Sequence, residues 1–260
     1  MSIVPIIEFD RVSKIYPSGS GPITALHEVS LGIAAGEFIA LIGPSGCGKT
    51  TLMRLIGDLE QPSAGTVRVK AKSPDQARRD RDYGIVFQSP VLYAWRTICK
   101  NVELPLELMG YPRQQRHERA MSLLRLVGLG DFSQAYPHQL SGGMQQRAAI
   151  ARALSFAPSI LLMDEPFGAL DEITRERLQL ELLSIWAESD PRPTVIFVTH
   201  SIPEAVFLAD RVIVLSPRPG RVQRIIEVNV PRPRAFETRE DPRFFTLLTE
   251  VRECLRAMEG

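Results

Sequence analysis

The sequence GPSGCGKTT occupies residues 43–51, between the apolar run EFIALI (residues 37–42) and the helical pattern LMRLIGDL (residues 52–59). This succession predicts a buried strand, a tight glycine-rich loop and a helix. Glycines in such a loop let backbone N–H groups turn inward around a phosphate chain, and the helix directs its positive dipole end to the same place. The stretch therefore predicts a phosphate-binding loop in an α/β fold.

The side chains of this loop have distinct expected roles. Gly43, Gly46 and Gly48 allow the backbone to approach the phosphates closely. Lys49 would add a cation for the β- and γ-phosphates, and the Thr50 hydroxyl would ligate Mg²⁺. The one cysteine of the loop is interpreted as a small filler and not as a nucleophile. The predicted nucleotide-binding residues are Gly43, Pro44, Ser45, Gly46, Cys47, Gly48, Lys49, Thr50 and Thr51.

Composition limits the classes of function that the chain can have. Its 260 residues can bury a sizeable core, and 31 Lys and Arg against 30 Asp and Glu give a net charge of +1. Such a balance gives no reason to expect a nucleic-acid partner. Because no apolar segment approaches about 18 residues and no leader-like segment begins the sequence, we expect a chain that is neither membrane-spanning nor exported.

The three cysteines, Cys47, Cys99 and Cys254, are odd in number and lack CxxC spacing. This pattern argues against a disulfide framework and against a zinc site, and it predicts a reducing compartment. On this interpretation the chain is cytosolic.

The periodicity of the sequence changes twice along the chain. Short β-type runs fill the first 88 residues, and helical periodicity covers residues 97–156. From residue 159 onward, apolar strands alternate with helices, as in a parallel sheet covered on both faces, and a Pro- and Arg-rich tail ends in an amphipathic helix. We expect one domain over residues 1–260, with an α/β core (1–88 and 158–230), a helical subdomain (89–157) and a C-terminal extension (231–260).

A second apolar strand, SILLMDEP at residues 159–166, ends in two carboxylates at the edge where α/β sheets bind ligands. Asp164 would hold Mg²⁺ through its water shell, and Glu165 would accept a proton from the water that attacks the γ-phosphate. Alone, the segment could also be a buried strand that ends in solvated acids. Its presence beside a phosphate loop favours the catalytic interpretation.

The sequence LSGGMQQR at residues 140–147 begins a further predicted helix. Ser141 is a suitable N-cap, and Gly142 and Gly143 leave amides exposed in the first turn, so this helix start is a second candidate anion site. A capped helix start without a ligand would have the same local pattern. One chain would then carry two anion sites, although one loop already binds the phosphates.

The three motifs GPSGCGKTT, LSGGMQQR and LLMDEP together resemble the nucleotide-binding subunits of ABC transporters, and the resemblance covers essentially the whole chain. It implies a P-loop NTPase core, with a RecA-like parallel sheet and an antiparallel β subdomain, and an inserted α-helical subdomain. It also implies an ATPase that uses ATP and Mg²⁺ and whose two subunits pair head to tail. The residues implied to face the γ-phosphate of the other subunit's ATP belong to the signature Ser141, Gly142, Gly143 and Gln145.

The same resemblance implies roles for two residues at strand ends. Gln88 would contact Mg²⁺ or the attacking water and sense the membrane partner, although alone it could be a surface amide. His200 would contact the γ-phosphate and orient both the water and Glu165, although a lone His at a strand end usually has no such role. The implied Mg²⁺ ligands, some through water, are Thr50, Gln88 and Asp164.

Two further residues have structural alternatives. Asp171 in GALD would communicate across the dimer, and it is also a candidate helix cap. Tyr16 would stack on adenine, unless it is a core residue.

The segments FGALDEITRERLQLELLSIW and VTHSIPEAVFLADRVIVLSPRPGRV resemble the importers of nitrate, sulfonate, taurine and pyrimidine precursors. This implies uptake of a small solute, driven by ATP-dependent closure of a dimer, expected to be a homodimer, at the cytoplasmic face of the inner membrane. The implied partners are a second ATP-binding subunit, permease subunits and a periplasmic or lipid-anchored solute-binding protein.

Residues 92–97, LYAWRT, depart from the LPW expected after the glutamine, because Ala94 replaces the usual proline. Trp95 is either an anchor for a permease helix or a core residue of the helical subdomain. A set of arginines is interpreted as a solvated surface in preference to a site for anionic lipid headgroups. These arginines are Arg218, Arg221, Arg232 and Arg234.

Two other classes of function share a phosphate loop. A soluble ABC ATPase acting on nucleic acid or ribosomes would carry long coiled coils, zinc modules or two cassettes, whereas this chain has one cassette and a modest helical insert. A small-molecule kinase would leave LSGG without a role. The sequence therefore favours the transporter subunit over both.

Overall fold

A six-stranded sheet forms the centre of the molecule in a computed structural model that describes residues 4–19 and 21–258. Its strands are, in spatial order, β5 (Tyr83–Val86), β6 (Ile160–Asp164), β7 (Thr194–Val198), β3 (Phe38–Ile42), β8 (Arg211–Leu215) and β9 (Val222–Glu227). The first five run parallel, and β9 is antiparallel to β8. The sequence analysis did not identify β9 as a strand.

A second sheet contains three antiparallel strands. Its spatial order is β2 (Ile23–Ile33), β1 (Ile7–Tyr16) and β4 (Ala64–Val69). Ile7 and Phe9 of β1 are buried and Glu8 between them is exposed, as in a strand with one face on the core. The two sheets and the helices around them confirm the predicted α/β fold with a separate antiparallel sheet.

Eight helices connect or cover the strands in the described part of the chain. They are α1 (Lys49–Ile56), α2 (Pro74–Arg79), α3 (Ile98–Leu108), α4 (Arg113–Leu126), α5 (Gly142–Leu154), α6 (Glu172–Glu188), α7 (Ile202–Leu208) and α8 (Pro242–Arg256). The sequence analysis missed α2, a short helix that Ser73 caps by accepting a hydrogen bond from the Gln76 N–H at 3.3 Å. Among the residues described, no helix combines the length and the apolar character needed to cross a membrane.

The helices α3, α4 and α5 follow one another between β5 and β6 and pack together. Their shared apolar core includes Val102 and Leu106 from α3, Leu124 from α4 and Ala148 from α5, all buried. We keep residues 89–157 as the proposed limits of a helical subdomain.

The central strand β3 is buried on both faces. Phe38, Ala40 and Ile42 belong to one apolar cluster, whereas the alternate residues Ile39 and Leu41 belong to the other. Since successive side chains of a strand point to opposite faces, a shift of one residue would exchange the two sets between clusters. The two cores therefore fix the register of β3 and the point where it ends.

The carboxyl ends of the parallel strands meet at one edge of the sheet. The loop at residues 43–48 follows β3, Glu165 follows β6, and Thr199 and His200 follow β7. Because β6, β7 and β3 are neighbours in space, three segments that are distant in sequence come together there. This edge is where ligands bind in open α/β sheets.

Two arginines of the C-terminal extension, Arg232 and Arg234, are structural, so the prediction of a solvated surface is wrong for them. Arg234 is only 6% exposed, and its guanidinium donates to the carbonyls of Phe207 at 2.7 Å and Ala209 at 2.8 Å, at the end of α7. Arg232 donates to the Asp210 carboxylate at 2.8 Å and lies over the Trp186 ring at 4.3 Å. The extension is thus attached to the core at the end of α7 by two guanidinium groups.

We predict that Arg234→Ala lowers the free energy of unfolding by about 2–4 kcal/mol, because buried carbonyls at the end of α7 lose charged donors. Urea denaturation of the wild type and the variant measures the difference. The control is Arg252→Ala, at an exposed position of α8, for which we expect a change within about 0.5 kcal/mol. Equal stability of the two variants would contradict the structural role of Arg234.

Candidate functional site

The loop between β3 and α1 requires glycine at each of its three glycine positions. Gly46 and Gly48 have φ angles of 75° and 103°, in the left-handed region that favours glycine. At Gly43, a Cβ would lie 2.8 Å from both Cys47 Sγ and the Leu215 carbonyl oxygen. The backbone therefore has the tight turn that the motif predicts, and Gly48 serves as the N-cap of α1.

The side chain of Lys49 lies inside this loop. It is only 8% exposed, and its ammonium donates to the carbonyl oxygens of Gly43 at 2.7 Å and Pro44 at 3.1 Å. A phosphate group that enters the loop would compete with these carbonyls for the ammonium. The cation is thus held at the end of β3, where the sequence analysis expected it.

The interpretation of Cys47 as a filler agrees with its burial. The residue is fully buried in the apolar cluster beneath the loop, and its backbone N–H donates to the Pro44 carbonyl at 3.3 Å. This N–H therefore closes a turn within the loop.

The Thr50 hydroxyl and the Asp164 carboxylate meet beside the loop. Thr50 Oγ1 donates to Asp164 Oδ1 at 3.1 Å, although the two residues are 114 positions apart in the chain. Burial raises the pKa of Asp164, which is 6% exposed, and the hydrogen bond from Thr50 opposes this shift. A cation beside this carboxylate would favour its ionised form.

Two predicted catalytic side chains, Gln88 and His200, converge on one oxygen atom of the third, Glu165. The Gln88 amide Nε2 donates to Glu165 Oε2 at 3.3 Å, and His200 Nδ1 lies 3.3 Å from the same oxygen. Gln88 follows β5, Glu165 follows β6 and His200 follows β7, so the order of the sheet brings them together. Glu165 has a φ of 45°, which is uncommon for a residue with a side chain and typical of functional sites.

A pocket of about 400 Å³ extends from the phosphate loop to the antiparallel sheet. Its walls contain residues of the antiparallel sheet, of the phosphate loop and α1, and of the segments after β6 and β8. Among them are Tyr16, Ser45, Lys49, Thr51, Glu165 and Arg218. Tyr16 is half-buried, and the Lys14 ammonium lies 4.9 Å from its ring centre. The alternative that Tyr16 is a core residue is therefore wrong, and its adenine contact stays a prediction.

Arg218 is a pocket residue that the sequence analysis assigned to the solvated surface. Its Nε donates to the Gly46 carbonyl at 3.4 Å, so the guanidinium lies across the phosphate loop. The loop that carries it is held close because Gly220 approaches Cys47: a Cβ at Gly220 would lie 1.9 Å from the Cys47 carbonyl oxygen. The glycine of SPRPGRV, two residues after the arginine, was the one sequence signal of this close approach.

The signature LSGGMQQR forms a capped helix start, as predicted. Ser141 caps α5 by accepting a hydrogen bond from the Met144 N–H at 3.3 Å. Nothing lies within 4 Å of a Cβ built on Gly142, whereas a Cβ on Gly143 would lie 3.0 Å from Leu170. Gly142 thus leaves open space beside an exposed helix end, while Gly143 allows the helix to pack against the segment after β6.

Gln145, the fourth predicted signature residue, donates its side-chain hydrogen bonds to the segment just before α5. Its amide Nε2 donates to the carbonyls of Pro137 at 3.0 Å and Leu140 at 3.1 Å, which fixes the segment before α5.

Asp171 caps α6 by accepting a hydrogen bond from the Thr174 N–H at 2.9 Å, and this bond lowers the pKa of Asp171. The capping alternative for Asp171 is confirmed, and its role across a dimer stays a prediction.

Within one chain, the structure does not bring the signature to the phosphate loop. Among the residues described, the walls of the loop pocket contain none of Ser141, Gly142 or Gly143. The chain therefore presents two separate candidate anion sites, one at the start of α1 and one at the start of α5.

The segment between Gln88 and α3 is fixed from two sides. Fully buried Asn101 accepts from the Tyr93 N–H at 2.7 Å and donates to the Arg96 carbonyl at 3.0 Å, so its amide sets the loop that contains Ala94. From α5, Arg152 donates to the Val91 carbonyl at 2.7 Å. The loop that carries Ala94 is thus held by side chains of two helices.

An apolar groove opens beside this segment. It has a volume of about 610 Å³, and its walls include Tyr83, Phe87, Leu104 and Trp95. Trp95 is 73% exposed and contacts Tyr93 edge-on, at 5.0 Å between ring centres. The alternative that Trp95 belongs to the core of the helical subdomain is therefore wrong.

Comparison with known proteins gives one consistent family. The family model described as ABC transporter matches residues 26–168. An uncharacterised ABC transporter ATP-binding protein of Methanocaldococcus jannaschii is 48% identical over 88% of this chain and 84% of its own length. A nitrate import ATP-binding protein of Synechocystis sp. is 41% identical over 97% of this chain and 96% of its own. A taurine import ATP-binding protein of Rhizobium johnstonii is 42% identical over 98% of both chains.

A solved structure has the same fold. It is the dimeric structure of an ATP-binding cassette in a post-hydrolysis state, bound to ADP and Pi. The two chains superpose with a TM-score of 0.77 at 37% identity, over 88% of this chain and 100% of the other.

We predict that Arg218→Ala weakens the binding of a fluorescent ATP analogue about three- to tenfold, because a guanidinium at the pocket wall is removed. Fluorescence titration measures the affinity. The control is Arg221→Ala, which removes an exposed arginine from the same loop and should leave the affinity unchanged. If the two variants bind alike, Arg218 does not contact the nucleotide.

Proposed function

The chain belongs to the ABC transporter family, and from this premise we propose that it is the ATP-hydrolysing subunit of a membrane importer for a small solute. As an ATPase of this family it converts ATP and water to ADP and phosphate. The solute class that we propose is that of the nitrate, sulfonate, taurine and pyrimidine-precursor importers, and nitrate and taurine import proteins are among the similar chains. The observation that carries the proposal is the convergence of Gln88, Glu165 and His200 beside the phosphate loop.

We infer that the loop binds the phosphates of ATP through backbone N–H groups, the dipole of α1 and the Lys49 ammonium. The buried ammonium already lies against the loop carbonyls, so little side-chain entropy is lost when it turns to a phosphate. Tyr16 and Arg218 line the same pocket, and the base and sugar would lie against them.

The donor set beside the loop fits Mg²⁺. The Thr50 hydroxyl and the Asp164 carboxylate are hard oxygen donors 3.1 Å apart, and Mg²⁺ prefers such ligands together with water and phosphate oxygens. Asp164 would act through the water shell of the ion, and Gln88, the third proposed ligand, would contact either the ion or the attacking water. When bound, Mg²⁺ would neutralise negative charge on the phosphates. Until then, the Thr50 hydroxyl partly satisfies the buried Asp164 carboxylate.

Glu165 is the proposed general base. Its carboxylate would accept a proton from the attacking water, while Gln88 Nε2 and His200 Nδ1 hold its Oε2 atom. Two partners from different strands restrict the rotation of this side chain. They would therefore orient the base and donate hydrogen bonds toward the water and the γ-phosphate.

The signature requires a second subunit. Ser141 and the exposed start of α5 lie away from the pocket of their own chain, so we propose that they face the phosphates bound by a partner in a head-to-tail dimer. The dimeric cassette with the same fold supports pairing of two such chains. The proposed signature contacts are those of Ser141, Gly142, Gly143 and Gln145. Asp171, which caps α6, would lie close to the same interface.

The apolar groove is the proposed contact with the permease. Exposed Trp95 and the walls around it would take a short cytoplasmic helix of a permease subunit, with Gln88 at one end of the segment sensing its position. The assembly we propose contains two ATP-binding subunits, permease subunits and a periplasmic or lipid-anchored solute-binding protein. The chain would then be peripheral to the cytoplasmic face of the inner membrane.

The test of this function uses Glu165→Gln, which keeps the shape of the side chain but removes the base. ATP should still bind, while hydrolysis slows by about 10²–10⁴. Because hydrolysis would reopen the dimer, the closed dimer should accumulate with ATP and not with ADP. Size-exclusion chromatography in saturating nucleotide measures this.

The matched variant is Glu165→Gln with Ser141→Arg. A bulky cation at the start of α5 should return the protein to monomer while ATP still binds to the loop. If the Glu165→Gln protein stays monomeric in ATP both without the permease and with it, the proposed dimer is contradicted. Dimerisation of the double variant would exclude the contact through Ser141.

A further inference from the structure

A cluster of three potential metal ligands lies among the helices α3 to α5, the helical group, away from the nucleotide pocket. Cys99 and Glu103 are one turn apart on α3, and His117 lies on α4. Cys99 Sγ, Glu103 Oε1 and His117 Nδ1 all lie within 4.8 Å of one another. The ATPase mechanism proposed above uses none of these residues.

The distances between the three atoms match one face of a coordination tetrahedron. Sγ lies 3.3 Å from Oε1 and 3.5 Å from Nδ1, and Nδ1 lies 3.0 Å from Oε1. Zinc bond lengths of about 2.3 Å to sulfur and 2.0–2.1 Å to nitrogen or oxygen, in a tetrahedron, place the ligand atoms about 3.3–3.6 Å apart. Shifts of a few tenths of an ångström would therefore suffice for coordination.

The environment directs Glu103 Oε1 toward the other two ligands. Glu103 is fully buried, and its second oxygen, Oε2, is bonded by the Lys100 ammonium at 2.7 Å, with Arg116 at 3.7 Å. These cations fix the carboxylate from one side. Oε1 remains on the side of Cys99 and His117.

The three residues line one cavity. They border a cavity of about 490 Å³ whose walls include Thr97, Arg113 and Gln134. The His117 side chain is half-exposed, whereas Cys99 and Glu103 are buried. The cavity provides both an entry path and space for a fourth ligand, such as water.

We propose that Cys99, Glu103 and His117 bind a zinc ion that joins α3 to α4, with the fourth position open to the cavity. A thiolate, an imidazole and a carboxylate together are typical of Zn²⁺ sites and do not suit Mg²⁺ or Ca²⁺. Binding would release the thiol proton, which the metal-free cluster directs at Glu103 Oε1. The sequence analysis argued against zinc because it looked for CxxC spacing, whereas these ligands come from two helices.

Zinc at this position would stabilise the helical group. The two helices bring the three ligands together only in the native state. Zinc that binds there stabilises the native state over the unfolded one by mass action. The site begins two residues after the Thr97 cap of α3, and the segment before that cap carries Trp95. Zinc would thus also stiffen one wall of the proposed permease groove.

The experiment is a Co²⁺ titration of the purified, metal-stripped protein without nucleotide. Co²⁺ reports tetrahedral thiolate coordination by visible d–d bands and by a sulfur-to-cobalt charge-transfer band. We expect one equivalent to bind with both bands, and Zn²⁺ to displace it. The zinc-bound protein should also melt at a higher temperature than the stripped one.

Variants assign the ligands. Cys99→Ser should remove the charge-transfer band, and His117→Ala, at a half-exposed position, should weaken binding at least about tenfold. Cys254→Ser, at a partly exposed position on α8, is the control and should leave the titration unchanged. Circular dichroism and binding of the ATP analogue verify that each variant is folded.

Three results would overturn the proposal. The first is that the wild type does not bind Co²⁺. The second is that the charge-transfer band persists in Cys99→Ser or is lost in Cys254→Ser. The third is that His117→Ala binds Co²⁺ with the affinity of the wild type. If Cys99→Ser fails to fold, the affinity of His117→Ala decides.

Discussion

Burial of β3 on both faces, between β7 and β8, is the constraint on which the site depends. The two apolar clusters allow one register for β3, and therefore one position for the loop that follows it. In the same way, Glu165 directly follows the end of β6, and His200 lies two residues after the end of β7. Packing of apolar side chains thus sets the distances between polar groups that belong to three separate segments.

The strained and buried groups of the site are stable only within this frame. Glu165 has a left-handed backbone, Asp164 is a buried carboxylate, and Lys49 is a buried ammonium that carbonyl oxygens satisfy. Each arrangement costs free energy, on the order of 1–3 kcal/mol for the backbone of Glu165. Each also has a proposed use: an oriented base, a carboxylate for a cation, and a cation for phosphate.

The sequence predicted the parts that are fixed by local pattern. The glycine loop, the apolar strand before the two acids and the Ser141 cap depend on neighbouring residues, so their motifs were sufficient. What it could not predict depends on contacts between distant segments. Arg218 crosses the phosphate loop, Arg234 enters the end of α7, and Asn101 fixes the loop that contains Ala94, and none of these has a spacing that reveals its partner. The Cys99, Glu103 and His117 cluster was missed for the same reason, as were the short elements α2 and β9.

The central claim is that His200, one of the two residues that converge on Glu165 Oε2, acts through this carboxylate. A double-mutant cycle on steady-state ATP hydrolysis tests it most directly, with Glu165→Gln, His200→Ala and the double variant. If His200 acts through the base, the double variant should hydrolyse ATP about as slowly as Glu165→Gln alone, because the histidine has lost the group that it orients. Losses that multiply in the double variant would show that His200 acts mainly on the γ-phosphate and independently of Glu165, and would contradict the claim that it acts through the base.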